Sequence, residues 1–179
     1  MRTLIPFRLS MIVFASMMCI GCTAQTNLFQ QESSQTARVW IEVDAIELFD
    51  FNGLEPNWND FCRIWDNQGH NAPSAETKDV KDLLTDVYRA KNVHWEGLLN
   101  EKSEDEGFTI ELLQIEILGE NCLFDKVRNP GKSGKVKARV KDADEVINCK
   151  SRYSIFFRIT NSDGESLYFN LDPFLRGKS

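Results

Sequence analysis

Apolar and polar residues alternate over much of the chain from residue 38 onward, which predicts a domain built mainly from β-strands. The apolar positions with this period fall into successive groups: Val39, Ile41 and Val43; Val93, Trp95 and Leu99; Phe108, Ile110 and Leu112; Ile115 and Ile117; Val136, Ala138 and Val140; Tyr153, Ile155, Phe157 and Ile159; and Leu167, Phe169 and Leu171. The phase slips near Leu113, where we expect a β-bulge. Turns are predicted at residues 129–131 and 163–164, and the acidic residues 101–107 predict a hairpin loop.

Two segments before residue 92 have helical spacing instead. In Pro56–Asp66 the residues Trp58, Phe61, Cys62 and Trp65 recur at i, i+3, i+4 and i+7, which predicts a short helix. Residues 77–89 predict a second helix with Thr77 as its N-cap, because one apolar stripe collects Val80, Leu83, Leu84, Val87 and Tyr88. We therefore expect a helical part over about residues 55–90 and a β-rich part over about residues 92–172.

The predicted fold class is α+β and mostly antiparallel β, with two short helices before the main run of strands. Residues 38–179 are expected to form a single globular domain. The segment Lys91–Gly97, entered from a predicted helix, resembles the first strand of small exported OB-fold proteins. That resemblance implies a small OB-like barrel, and a β-sandwich is the alternative.

The N-terminal segment indicates export. Residues Met11–Cys22 form a short apolar stretch behind Arg2 and Arg8. The stretch is shorter than the roughly 20 residues that a membrane-spanning helix needs, and its basic lead and small residues are typical of a signal peptide over residues 1–21. Residues 23–36 are rich in Gln, Ser and Thr, so residues 22–37 predict a modified N-terminus followed by a flexible tether.

The end of this segment, Cys19-Ile20-Gly21-Cys22, resembles the lipobox of bacterial lipoproteins, although Cys19 stands where that family usually has Leu. The resemblance implies that Cys22 becomes the first residue of the mature chain and carries the lipid. Thr23 stands where an Asp would imply retention at the inner membrane, so the resemblance favours the outer membrane of the cell envelope. A simple secretory signal and an uncleaved anchor are the alternatives.

Charge narrows the possible partners. The net charge is −6, and removal of residues 1–21 takes two arginines and no acidic residue with it, so the mature chain is more negative still. Nucleic acids require a basic surface, so we exclude them as general partners. The membrane, reached through the lipid, and an envelope protein or glycan remain as partners.

If Cys22 carries a lipid, Cys62, Cys122 and Cys149 remain in an oxidising compartment. Three is an odd number, so at least one of these thiols has no partner within the chain. Cys122 and Cys149 each follow an Asn at the start of an apparent strand, which favours a disulfide between them. Three buried reduced thiols are the alternative.

The sequence offers no recognisable catalytic motif, cofactor-binding motif or metal-binding motif. His70 and His94 lack a motif that would supply a nucleophile, and residues 131–134 lack the first glycine of a phosphate-binding loop. The acidic runs lack the alternating ligands of a calcium loop, and no Cys or His pair has zinc-like spacing. We therefore expect no cofactor and no metal, and favour a protein that is not an enzyme.

Two features suggest binding. Lys135, Lys137, Arg139 and Lys141 share one face of a predicted strand, which can meet an anionic partner or only protect an exposed strand from pairing. Trp58 and Trp65, beside Asn, Asp and Gln, either form a sugar-binding surface or pack in the core. The sequence thus predicts a lipid-anchored envelope protein that acts as a binding or interaction module. The alternative is a small envelope hydrolase that uses paired carboxylates.

Overall fold

A computed structural model describes residues 36–51 and 56–179, all of which belong to one compact unit. The predicted signal peptide, Cys22 and nearly all of the predicted tether lie outside the described residues. Within the described ranges, no helix has both the length and the apolar character that crossing a bilayer requires.

Strands dominate the described residues, which confirms the mostly-β prediction. The strands are β1 (Ala37–Val43), β2 (Cys62–Asp66), β3 (Asn71–Ala72), β4 (Leu84–Tyr88), β5 (Asn92–Leu99), β6 (Thr109–Leu118), β7 (Arg128–Lys132), β8 (Lys135–Arg139), β9 (Lys150–Thr160), β10 (Ser166–Leu171) and β11 (Phe174–Lys178). The helices among the described residues are short: α1 (Ala45–Phe49), α2 (Trp58–Phe61) and α3 (Glu101–Asp105). Within the same ranges, single 3-10 turns cover Val80–Asp82 and Asp144–Val146.

The strands form one curled sheet in the order β3-β2-β1-β5-β8-β7-β6-β9-β11-β4, and β10 pairs with β9 beside this path. Most pairs are antiparallel, as predicted, but β1 pairs with β5 and β4 pairs with β11 in parallel. The OB-like barrel is not confirmed, because an OB-fold has five strands and this sheet has eleven.

The core lies on the inner face of the curl, where aromatic side chains from distant strands meet. The rings of Trp95 on β5 and Tyr153 on β9 lie 5.9 Å apart, and the indole Nε1–H of Trp95 donates to the Tyr153 hydroxyl at 3.3 Å. Phe124 packs against Trp95 at 6.2 Å, and all three side chains are fully buried. The outer face of the same strands is therefore left for solvent or a ligand.

The helix predicted over Pro56–Asp66 ends much earlier than expected. Only α2 is helical, and β2 begins at Cys62 and pairs antiparallel with β1. The period changes from that of a helix to that of a strand, so Trp65 points away from the buried Cys62 and Ile64.

The helix predicted over residues 77–89 is wrong. Val80 lies in a 3-10 turn, and the residues from Leu84 onward form β4, which pairs in parallel with β11. Asp86 lies opposite Arg176 in this pairing, and the guanidinium donates to both carboxylate oxygens, at 2.7 and 3.1 Å. Pairing with a strand some 90 positions later in the sequence therefore outweighs the local helical pattern. Of the helical part expected over residues 55–90, the described residues contain only α2 and one 3-10 turn.

The bulge and the turns that connect the strands agree only in part with the predictions from the sequence. The β6–β9 register shifts between Leu112 and Gln114, which confirms the predicted bulge. The turn predicted at residues 129–131 is wrong, because these residues lie in β7. The chain reverses instead at Ser133 and Gly134, whose φ values of 53° and 75° suit a two-residue β-hairpin. Residues 101–107 contain α3, which Asn100 caps by accepting from the Ser103 amide at 2.9 Å.

Candidate functional site

Three neighbouring strands carry a row of basic side chains on the outer face of the sheet. Arg38 on β1 lies opposite His94 on β5, and His94 lies opposite Lys137 on β8. The alternate positions of these strands are buried in the core, so the three side chains point outward. Because neighbouring strands lie about 5 Å apart, His94 sits between two cations.

The adjacent row on the same face is aromatic at one end and charged at the other. Trp65 lies opposite Trp40, Trp40 opposite Glu96, and Glu96 opposite Lys135. The rings of Trp40 and Trp65 have centroids 6.2 Å apart and planes only 20° apart, and we call this pair the tryptophan platform. The Lys135 ammonium forms an ion pair with the Glu96 carboxylate.

All members of these two rows except Trp65 line a cleft of about 410 Å³ that we call the basic cleft. Its polar and aromatic lining is Arg38, Trp40, His94, Trp95, Glu96, Lys132, Lys135 and Lys137, with Pro130 beside them. Small-molecule sites typically measure about 300–1,000 Å³, so the cleft is large enough for a ligand. The β7–β8 hairpin supplies one wall, because Lys132 and Lys135 flank its turn as opposite residues.

Positive charge in the basic cleft is only partly neutralised. Lys135 is paired with Glu96, whereas Arg38 and Lys137 have no ion-pair partner among the residues that the structure describes. The pKa of His94 lies below its ordinary value, because burial removes water from the ring and because Lys137 and Arg38 repel a further proton. His94 is therefore a neutral imidazole at neutral pH.

The ring of His94 also has an unsatisfied polar atom. Its Nε2 is buried, and within the described part of the chain no hydrogen-bond partner reaches it. A neutral imidazole can offer this nitrogen as a donor or as an acceptor, according to its tautomer. The Nε2 atom is almost completely shielded from solvent, so in this conformation the exposed side chains of Arg38 and Lys137 are the donors that an anion can reach.

The basic strand predicted from the sequence divides between two environments. Lys135 and Lys137 line the basic cleft. Arg139 shares their face of β8 but lies opposite Asn92, outside the cleft lining. Lys141 lies beyond the end of β8 and donates to the Glu145 carboxylate at 2.8 Å and to the Asn121 carbonyl at 3.3 Å.

Sequence reasoning missed Arg38, Trp40 and the role of His94 as members of this site. The available signal was their position, since each alternates with buried residues on a strand and must point outward. That pattern does not reveal that β1 pairs with β5 and β5 with β8, and these pairings bring Arg38, Trp40 and His94 together.

The two tryptophans singled out in the sequence lie in different places. Trp58 is 6% exposed, and its ring packs edge-on against Phe157 and Phe169 at 6.0 and 6.1 Å. It belongs to the core. Trp65 is only partly buried on the outer face, where it joins Trp40 in the tryptophan platform.

A second cleft of about 480 Å³ lies on the far side of the tryptophan platform. Arg63, Trp65, Asp66 and His70 contribute to its lining. The buried Asp66 carboxylate accepts from the backbone amides of Gln68 and His70, and the Nδ1 of His70 lies 2.8 Å from it. No hydroxyl or thiol side chain is among the described residues that line this cleft, so His70 has no nucleophile there to activate.

Three carboxylates, those of Glu42, Asp44 and Asp60, line a smaller cleft of about 310 Å³, where paired carboxylates of a hydrolase could in principle lie. Asp44 caps α1 by accepting from the Glu47 amide at 3.1 Å. Asp60 accepts from the side-chain amide of Asn57 at 3.0 Å. Two of the three carboxylates thus have local structural partners. Over the described ranges, no group of three or more His, Cys, Asp or Glu residues is placed to hold a metal ion.

The disulfide in the structure joins the two cysteines that the sequence favours as a pair. Cys122 and Cys149 form a disulfide with their Cα atoms 6.2 Å apart, and the Ser151 hydroxyl lies 3.6 Å from each sulfur. Cys62 is a free thiol in the core, and burial raises its pKa far above the ordinary value. The predicted lipidation site Cys22 is outside the described residues.

Comparison with known proteins gives a likeness in fold alone. No protein-family model matches the chain, and no curated protein sequence matches it. Among solved structures, the chain is similar to an inclusion body protein, PixA, from Burkholderia cenocepacia, with a TM-score of 0.54 and 11% sequence identity. The likeness covers 83% of this chain and 98% of that one.

Proposed function

We propose that this protein is a lipid-anchored binding module of the cell envelope and that its basic cleft binds the anionic group of a ligand. The observation that carries the binding proposal is the row Arg38–His94–Lys137, in which two cations without ion-pair partners among the described residues flank a neutral imidazole. The anchor is supported by the resemblance of Cys19–Cys22 to a lipobox, and Thr23 after the cysteine favours the outer membrane.

The charge distribution favours an anion in this place over a general electrostatic role. The chain as a whole carries a net charge of −6, so a local excess of positive charge is a specific feature of this face. A hydrogen bond to a charged group typically contributes about 1.5–3 kcal/mol to binding. An anion that accepts from both Arg38 and Lys137 therefore gains enough to bind in competition with water.

Binding of simple anions tests the proposal. We expect inorganic sulfate and phosphate to bind saturably to the detergent-solubilised protein at low ionic strength, with the largest NMR shift at the His94 ring. Substitution of Lys137→Gln or Arg38→Gln should weaken sulfate binding about tenfold or more, which corresponds to about 1.4 kcal/mol. Arg139→Gln is the matched control, since it removes the same charge from the same face of the same strand. Equal losses in Arg139→Gln and Lys137→Gln, or no saturable binding, would contradict the proposal.

The anchor has its own test. Cells fed a labelled fatty acid should incorporate the label into the wild-type protein and not into a Cys22→Ala variant. Label on both proteins, or on neither, would remove the lipid anchor from the proposal while leaving the binding cleft in place.

A further inference from the structure

We infer that the ligand of the basic cleft is an acidic saccharide, with its acid group between Arg38 and Lys137 and a sugar ring against the tryptophan platform. The inference rests on the proposed function and gives that site a ligand class. The observation behind it is the juxtaposition of two rows on one sheet face, one basic and one aromatic, in register on the same strands.

The aromatic row supplies what a sugar ring requires. A pyranose has an apolar C–H face, which packs against the flat face of an aromatic ring, and hydroxyl groups around its edge. Trp40 and Trp65 come from adjacent strands and stack on each other with their planes 20° apart, so Trp40 remains available toward the basic cleft and Trp65 toward the second cleft. Both are partly exposed on the outer face, unlike the buried Trp58 and Trp95.

The polar groups beside the platform suit hydroxyls as well as an acid. Glu96 lies directly opposite Trp40, and the ion pair with Lys135 fixes its carboxylate in place as an acceptor for sugar hydroxyls. Arg38 and Lys137 in the next row then hold the negatively charged group, and a guanidinium can do so through two parallel hydrogen bonds. A simple anion would use only the basic row and leave the aromatic row and Glu96 without a role.

The two clefts on either side of the platform indicate more than one sugar unit. Trp40 lines the basic cleft of about 410 Å³, and Trp65 lines the second cleft of about 480 Å³. Arg63 lines the second cleft and also the smaller cleft that contains Glu42, its register partner on β1, and it has no ion-pair partner within the described residues. A chain that carries acid groups at intervals would place one at Arg38 and Lys137 and another at Arg63, with the tryptophans between them.

The other surfaces of the molecule do not favour a lipid ligand at this face. The large apolar side chains with the greatest exposure among the described residues are Val127, Ile147, Leu167 and Tyr168, and none of them lines either cleft. A lipid would require apolar contacts for its acyl chains beside the basic row. The groups present there are an aromatic platform, a paired carboxylate and hydrogen-bond donors.

The test compares the affinities of four probes for the detergent-solubilised protein by calorimetry. The probes are a galacturonate tetramer, a sulfated tetrasaccharide, the neutral sugar cellotetraose and inorganic sulfate. We expect at least one acidic tetramer to bind ten times more tightly, or better, than both cellotetraose and inorganic sulfate. Trp40→Phe should reduce that advantage, whereas Lys137→Gln should weaken the binding of sulfate and of the acidic tetramer alike. Cross-peaks between sugar protons and the Trp40 ring in the wild-type protein give a second measurement that no folding defect can affect.

The outcomes separate the inference from the proposed function. If sulfate binds as tightly as both acidic tetramers, or if the tightest tetramer gives no cross-peak to Trp40, the cleft is a simple anion site and the saccharide inference fails alone. If none of the probes binds, both fail. A phosphopeptide serves as a fifth probe: if it binds more tightly than either tetramer, the inference is overturned, because the site would then belong to a protein partner.

Discussion

Gly131 lies on the hairpin that forms one wall of the basic cleft, close to the backbone of the neighbouring strand β6. It sits on β7 opposite Val136 of β8. A Cβ atom at this position would overlap the carbonyl oxygen of Leu112 on β6 and lie 3.1 Å from that of Leu113. Carbon and carbonyl oxygen normally meet at about 3.3–3.6 Å, so Gly131→Ala requires the hairpin to move. Both obstacles are backbone atoms, which cannot rotate away.

The expected cost follows from two contributions. Overpacking a well-packed site costs about 1–3 kcal/mol. The hairpin is also held by a hydrogen bond from the Leu112 amide to the Gly134 carbonyl at 3.1 Å, and its loss adds about 0.5–1.5 kcal/mol. The free energy of unfolding should therefore fall by about 3 kcal/mol. For a domain of this size that lowers the Tm by roughly 6–12 °C.

Thermal unfolding followed by circular dichroism measures this loss, and Gly97→Ala is the matched control. A Cβ on Gly97 would approach only side-chain atoms, Ile110 Cδ1 at 3.0 Å and Leu112 Cδ2 at 3.2 Å, which can shift by rotation. We expect its Tm to change by less than half as much. Because Lys132 and Lys135 lie on the displaced hairpin, Gly131→Ala should also weaken sulfate binding. Equal Tm values for the two variants would refute the reasoning that a backbone contact fixes the hairpin.

Three further predictions concern the core, the free thiol and the imidazole. Tyr153→Phe should lower the free energy of unfolding, measured in urea, by about 1–3 kcal/mol, because the buried Nε1–H of Trp95 loses its acceptor. The control Tyr168→Phe, at a residue that is 66% exposed, should change this free energy by less than about 0.5 kcal/mol, and similar losses in both variants would count against the buried hydrogen bond. Burial raises the pKa of the Cys62 thiol, so in a chain that begins at Thr23 a disulfide reagent at pH 8 should find no reactive thiol until guanidinium unfolds the protein. A Cys62→Ala variant should stay unreactive throughout, and fast reaction of the native protein would contradict this prediction. Burial and the neighbouring Lys137 and Arg38 lower the pKa of His94, so the folded state binds fewer protons than the unfolded state; the contribution of His94 to stability is complete above about pH 6.5 and is lost as the pH falls toward the lower folded pKa. In an NMR titration, the midpoint of the His94 ring should rise in Lys137→Gln and stay unchanged in Arg139→Gln. Equal shifts in the two variants would show that Lys137 has no special proximity to the ring.

Much of the architecture was predictable because local patterns carried it. Alternation identified the strands that became β1, β5, β8, β9 and β10, since a sheet with one buried face requires a period of two. The phase slip at Leu113 marked the bulge between Leu112 and Gln114 for the same reason. The choice of Cys122 and Cys149 matched the disulfide because both sit at the starts of segments that the fold brings together.

Residues 80–88 show why local pattern was not sufficient everywhere. Val80, Leu83, Leu84 and Val87 have helical spacing, yet Thr85 and Val87 face the core from a strand. The hydrogen bonds of β4 with β11 and the two-point contact of Arg176 with Asp86 stabilise the extended conformation. Intrinsic helix propensity amounts to less than about 1 kcal/mol per residue, so such long-range pairing readily outweighs it.

The sequence by itself determined which side chains of β1, β5 and β8 face outward, the negative net charge, the scarcity of catalytic motifs and the segment that predicts export. It placed Arg38, Trp40, His94 and Lys137 at outward positions without relating them to one another. Only the tertiary structure decided that β1, β5 and β8 are neighbours, although residues 44–91 and 100–134 separate them along the chain. The physical reason is that strand order and register depend on the burial of a shared core and on backbone hydrogen bonds between distant segments, neither of which leaves a local signal. The basic cleft is a property of that order.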